Sequence, residues 1–167
     1  MVIAATLLLS NTAVAQTEGE RAERVALLRQ ADEARSVGHL EEALALGQRA
    51  ERIGVTAGTR LFVSQVNMSL RRWVAARDGV EECLRAVESD TQTSASNRRA
   101  LRGECLRVLD GAQQHLGRLT VTVPSNAPRS LVVRVNREVL HAGLFNLDRT
   151  VESGRVVVRA TLNHVAA

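Results

Sequence analysis

The chain has 167 residues, of which 45% are hydrophobic and 24% charged, with a net charge of +4. That mixture excludes a disordered tail, a collagen-like chain and a polytopic membrane protein, because none combines this apolar content with charges spread along the whole sequence. Aromatic residues make up only 2% of the chain (Phe62, Trp73 and Phe145), too few for a base-stacking or sugar-stacking platform.

All 22 basic residues are arginine. Up to Leu116 there are 15 Arg against 15 Asp plus Glu, whereas from Gly117 onward there are 7 against 3, so the basic excess sits in the C-terminal third. There the arginines alternate with valine and threonine instead of clustering on a helix among polar neighbours, and a nucleic-acid partner is not expected.

Val2 to Leu9 form a short apolar run, followed by Ser10-Asn11-Thr12 and then Ala13-Val14-Ala15. An apolar run, a polar break and a small-x-small site in that order predict a signal peptide over residues 1–15, cleaved after Ala15, although no Lys or Arg precedes the run; the alternative is an N-terminal helix turn packed on the core. The run is too short to span a bilayer, so no integral membrane span is expected. With no cysteine at the cut, a lipid anchor is not implied, and the mature chain is expected in the periplasm or outside the cell.

From Glu20 the apolar residues follow helical spacing, with Val25, Leu28, Ala31 and Ala34 on one side. Gly38-His39 ends that helix and Leu40-Glu41-Glu42-Ala43-Leu44 starts another. A second pair runs from Leu61 to Leu70 and from Trp73 to about Val87, separated by Arg71-Arg72. After a polar loop at residues 89–94, a last helix is predicted from Ser96 to Leu116 on the stripe Leu101, Cys105, Val108, Ala112 and Leu116. Five helices over residues 16–116 therefore form the predicted helical domain.

The breaks at Gly38 and Arg71 lie 33 residues apart. That period, with Gly38-x-Leu40-x-x-Ala43 followed by Ala50 and, in the second copy, Trp73, Ala76 and Cys83 at matching positions, resembles tetratricopeptide repeats. The resemblance covers about sixty-six residues and departs from the family at Gly47, Arg71 and Val55. A plain antiparallel bundle reads the same spacing without a groove. The resemblance implies a groove lined by Val25, Leu28, Asp32 and Arg35 from the first repeat and by Leu61, Gln65 and Met68 from the second, holding a partner segment. Leu28 and Asp32 stand where the carboxylate-clamp branch has lysine and asparagine, so capture of a C-terminal carboxylate is not implied. Core packing is the alternative role of Leu28, Leu61 and Met68.

Cys83 and Cys105 continue the apolar stripes of the last two helices. In an exported chain they are expected to form a disulfide worth about 3 kcal/mol by loop closure, the alternative being two buried thiols. Neither a metal nor a cofactor is implied, because His39, His115, His141 and His164 are scattered without paired spacing. Gly-x-Ser-x-Gly, His-Glu-x-x-His and a phosphate loop are all missing from the sequence, so catalysis is not expected. Glu41-Glu42 and Glu81-Glu82 lie near helix starts, where carboxylates favour the helix dipole, and sequence neighbours do not face one another there.

At Gly117 the period becomes alternating. Leu119, Val121 and Val123, then Leu131, Val133 and Val135, then Val156, Val158 and Ala160 mark strands, with turns at residues 124–128, at Asn136-Arg137 and at Glu152-Ser153-Gly154. A four- or five-stranded antiparallel sheet or small sandwich over residues 117–167 is predicted. Gly117-x-Leu119-x-Val121-x-Val123-Pro124, a turn near Asn136 and Glu152-Ser153-Gly154 before a valine-rich strand resemble PEGA and related carboxypeptidase-regulatory-like modules, which are non-catalytic parts of exported proteins. The whole arrangement is similar to exported proteins common in myxobacteria and their relatives.

Alternation predicts that Arg118, Arg134, Arg155 and Arg159 share the outward face, where they either grip an anionic polymer or keep the sheet solvated and unpaired. The predicted class is α+β: a helical hairpin array followed by a small β module. The expected function is a non-enzymatic envelope scaffold holding a protein partner in the groove. The other reading is a binder of anionic envelope polysaccharide or lipid headgroups through the arginine face.

Overall fold

The computed structural model of the protein describes residues 17–162, so the predicted signal peptide over residues 1–15 and His164 lie outside the described residues. The fold is α+β: five helices followed by small antiparallel sheets. The chain divides into two compact units at Val55/Thr56.

The first unit contains α1 (Glu18–Ser36) and α2 (Leu40–Ile53). Thr17 opens α1 with a capping box, its hydroxyl accepting from the Glu20 backbone N–H at 3.2 Å while the Glu20 carboxylate accepts from the Thr17 N–H at 2.9 Å. The two helices meet through Leu27, Ala31 and Ala34 on α1 and through Ala43, Leu44, Gly47 and Ala50 on α2. Five of these seven side chains are alanine or glycine, which lets the helix backbones approach closely. The buried stripe of α1 thus runs through Leu27 and not through Val25, which is 54% exposed.

The second unit starts with α3 (Ala57–Ser69), α4 (Trp73–Ser89) and α5 (Ala95–Gln113). Thr56 caps α3 as Thr17 caps α1, exchanging bonds with Thr59 at 2.9 and 3.2 Å. The helix ends repeat as well. Gly38 (φ 84°) follows α1 and Arg71 (φ 57°) follows α3, both in the left-handed region. The next N–H reaches back in each case, His39 to the Ala34 carbonyl and Arg72 to the Asn67 carbonyl, both at 2.9 Å. Each helix pair is therefore turned by the same C-terminal motif, 33 residues apart.

Ala57, Leu61, Val80, Cys83, Val87 and Cys105 form the helical core of this unit, with Leu101 and Val108 packed against it. A disulfide joins Cys83 to Cys105, Cα to Cα 6.4 Å, tying α4 to α5. A Cβ on Gly79 would lie 2.5 Å from the Ser64 hydroxyl, so glycine is what permits α4 to sit this close to α3. α5 ends at Gln113, three residues before the predicted Leu116, because Leu116 pairs with Glu152 and opens the first strand.

The strands are β1 (Leu116–Thr120), β2 (Leu131–Val135), β3 (Glu138–Leu140), β4 (Asp148–Glu152) and β5 (Val158–Leu162), with a 3-10 turn at Ala142–Leu144. They form two antiparallel sheets, β1-β4 and β3-β2-β5. Val133, Val135 and Leu140 make their shared core, covered by Leu119, Val121, Val123, Leu131, Phe145 and Val156. Val158 lies across the ladder from the buried Val135, yet is 46% exposed, because β5 lies at a sheet edge.

Two asparagines in the left-handed region join the chain segments. Asn136 (φ 56°) opens the β2-β3 turn and accepts from the Val157 N–H at 3.0 Å, while Asn146 (φ 62°) accepts from the Val123 N–H at 2.9 Å. Asparagine tolerates this backbone better than most residues, and its amide supplies the missing hydrogen-bond partner.

Candidate anion-binding surface of the β module

Helix α4 carries the β module through its N-terminal turn. The Glu152 carboxylate, at the end of β4, accepts from the Trp73 backbone N–H at 3.1 Å, a free donor at the positive end of the helix. The Arg77 guanidinium donates to the Thr150 hydroxyl, and the Ser153 N–H donates to the His115 carbonyl at 2.8 Å. The rings of Trp73 and His115 stack with centroids 3.9 Å apart and planes 17° from parallel. These contacts explain why the module belongs to the same compact unit as α3–α5.

The predicted arginine face is only partly assembled. Arg134 on β2 and Arg159 on β5 are direct cross-strand partners. On β2 they share the outward side with Val132, since Val133 and Val135 point into the core. Arg118 belongs to the other sheet, on β1, with its side chain 86% exposed and 4.0 Å from the Asp148 carboxylate. Arg155 precedes β5 in a connecting turn and so has no strand face. The expected set of four therefore reduces to a pair.

The structure adds Arg137 and Arg149, which strand alternation alone did not single out. Arg137 sits in the two-residue turn between β2 and β3, beside Arg159 and Asn136. Arg149 lies opposite Leu119 in the β1-β4 ladder, two residues from Val151, which places it on the core-facing side of that sheet. It is half-buried and, with Arg137 and Arg155, lines a cleft of about 550 Å³. Val74 of α4 and Val135, Val151 and Val156 of the module supply its apolar wall. Among the described residues, no ion pair or side-chain hydrogen bond engages Arg134, Arg137, Arg149, Arg155 or Arg159.

The groove candidates fall in both units. Val25 is exposed and Leu28 half-buried on α1, while Asp32 and Arg35 form an ion pair at 2.6 Å. Leu61 is part of the core against α4 and α5 and is closed to a partner, and Gln65 is half-buried. Met68 reaches Gly111, its methyl carbon 2.9 Å from where a Cβ would stand there, so this side chain packs on α5. Core packing, the simpler reading of Leu61 and Met68, is what the structure shows.

Among the described residues, no group of three or more His, Cys, Asp and Glu side chains comes together as a metal site, and no helix is long and apolar enough to cross a membrane. Compared with protein-family models, curated proteins and solved structures, the chain matches none.

Proposed function

We propose that the protein is an exported, non-enzymatic binding protein of the cell envelope whose β module holds an anionic polymer on the outward face of the β3-β2-β5 sheet. The observation that carries this reading is the cross-strand pair Arg134 and Arg159, with neither guanidinium engaged by an acid. Like charges directly opposite one another destabilise a sheet, and a carboxylate or phosphate between them removes the repulsion while accepting forked hydrogen bonds from both. Arg137 in the adjoining turn extends the positive track. The disulfide between Cys83 and Cys105 agrees with an oxidising compartment.

Alginate, a carboxylate polymer, serves as the test ligand. The wild-type protein should be retained on an alginate matrix at about 0.15 M salt and released toward 1 M, as the screening length contracts from roughly 8 to 3 Å. Arg134→Ala combined with Arg159→Ala should abolish retention while the circular dichroism stays unchanged. Retention that survives the double substitution would refute the sheet-face reading.

A second reading, a protein scaffold built on tetratricopeptide-like helices, is favoured by one observation on α1. Val25 stands exposed beside Ala22 and Ala26, between Arg21 and Arg29. An apolar strip with charged borders suits a partner helix, and the repeated left-handed closure at Gly38 and Arg71 supports the family resemblance. The PEGA-like character of the module remains part of this proposal.

A further inference from the structure

We propose that the free edge of β5 pairs antiparallel with β5 of a second copy of this chain, joining two β3-β2-β5 sheets into one. β5 ends its sheet, and all five of its residues are exposed. The Asn136 N–H donates to the Val157 carbonyl at 2.7 Å, and the register runs on from that pair through Arg134 with Arg159 and Val132 with Thr161. Hydrogen bonding alternates along an antiparallel ladder, so Arg159 and Thr161 turn their backbone groups toward β2, whereas Val158, Ala160 and Leu162 turn theirs away from it. Among the described residues nothing meets those three N–H groups and three carbonyls, which stand in a row for a further strand.

Edges that stay single carry proline, a bulge or an inward-pointing charge. β5 has none of these: its core-side positions are Val158, Ala160 and Leu162, opposite Val135, Val133 and Leu131. The sequence of the strand selects its own copy as the occupant. With Ala160 on a two-fold axis, Val158 of one copy meets Leu162 of the other, all three outward-turned residues exchange hydrogen bonds, and Arg159 lies across from Thr161. Sliding the copies by two residues leaves two such pairs instead of three, and in one direction sets Arg159 against Arg159, a like-charge pair that destabilises a sheet. In the favoured register Val158, 46% exposed, and Leu162, 53% exposed, cover one another. A two-fold pairing uses the edge of both copies and closes, which gives a dimer and not a fibre. Two short strands bury less than the roughly 1,200 Å² of a standard interface, so the dimer is weak and dissociates on dilution. The pairing does not rest on the polymer reading, although it sets Arg134 and Arg159 of both copies on one outward face.

The experiment is sedimentation velocity of the full chain over a concentration series, with no polymer present. A monomer–dimer equilibrium is expected. It should tighten as salt rises, because the two Arg159 side chains start from positions roughly 8 Å apart and their repulsion is screened. Polymer retention falls with salt, so failure here and failure of the polymer reading are separately visible. Ala160→Pro removes only an outward-turned N–H and leaves the ladder to β2 whole, and it should raise the dissociation constant about tenfold or more. Val158→Lys, an inward-pointing charge on the same edge, should do the same and decides alone if the proline unfolds the module. Ala160→Cys tests the register. Its two Cα atoms would stand about 5.5 Å apart across the axis, within reach of a disulfide, so it should cross-link on oxidation, whereas Arg159→Cys, roughly 8 Å from its copy, should not. A chain that stays monomeric at every concentration would overturn the pairing and leave the edge to a strand of another protein. A dimer left intact by both Ala160→Pro and Val158→Lys, or cross-linking of Arg159→Cys in preference to Ala160→Cys, would overturn it as well.

Discussion

Replacing Arg71 by glycine should stabilise the protein, although it removes a charged residue. Arg71 holds φ 57° immediately after α3, whereas the equivalent position after α1 is Gly38 at φ 84°. An L residue in the left-handed region costs roughly 1–2 kcal/mol. Glycine avoids that cost but loses about 0.4–1 kcal/mol more backbone entropy on folding, so the net gain is about 0.5–1 kcal/mol. Arg71 is exposed, and its side chain makes no hydrogen bond or ion pair among the described residues, so little else is lost. The mirror substitution, Gly38→Ala, should destabilise its own helix pair by about 1 kcal/mol. Nothing lies within 4 Å of a Cβ built there, which makes that effect purely conformational. Trp73 is the chain's single tryptophan and follows Arg71 by two residues, so its fluorescence in a guanidinium titration reports the first change. Circular dichroism follows the second. An Arg71→Gly protein that unfolds at lower denaturant with an unchanged slope would refute the argument that backbone strain dominates at this turn.

Replacing both Cys83 and Cys105 by alanine should lower stability by about 3 kcal/mol from loop closure alone, measured by denaturant unfolding against the oxidised parent. Gly79→Ala should cost about 1 kcal/mol, because the added methyl would meet the Ser64 hydroxyl, which must turn away from the Arg60 carbonyl or let α4 shift from α3. Glu152→Ala removes the acceptor at the α4 N-terminus and should cost about 0.5–2 kcal/mol, with a change in Trp73 emission as the helix start that holds the ring against His115 loosens. The Asp90 carboxyl is held below its ordinary value of 3.8, first by the Thr93 hydroxyl and then by the Thr93 and Gln92 backbone N–H groups. Its stabilising contribution is therefore present above that value and fades as pH falls through the lower folded value. Carbon-13 titration should place the Asp90 midpoint below 3.8, and Thr93→Val should raise it.

The helix pairs were readable from the breaks at Gly38 and Arg71 and the alanines at the close contacts, whereas the caps Thr17 and Thr56 carry signals that apolar spacing alone does not use, and α3 accordingly starts at Ala57, four residues before the expected Leu61. Helix faces were less readable where two stripes compete. On α1, Val25 and Leu27 both have apolar neighbours at helical spacing, and only packing against α2 decides for Leu27. The β module was read in type but not in register. Alternation gives the face of a residue within one strand, yet it cannot say that Arg118 and Arg134 belong to different sheets. Arg149 was missed for the same reason, since only its pairing with Leu119 turns it toward the core side. The alternation Leu147-x-Arg149-x-Val151 was the available signal, obscured because a charged residue stands at its middle position.

The account rests on the β module as the part of the chain that meets the ligand, and amide shift mapping with short alginate oligomers tests that claim most directly. Shifts confined to the outward residues of β2 and β5 and to the Asn136-Arg137 turn, lost on raising salt, are the predicted result. Shifts centred on Ala22, Val25 and Ala26 of α1, with the module unmoved, would contradict it and make the helical strip the binding surface.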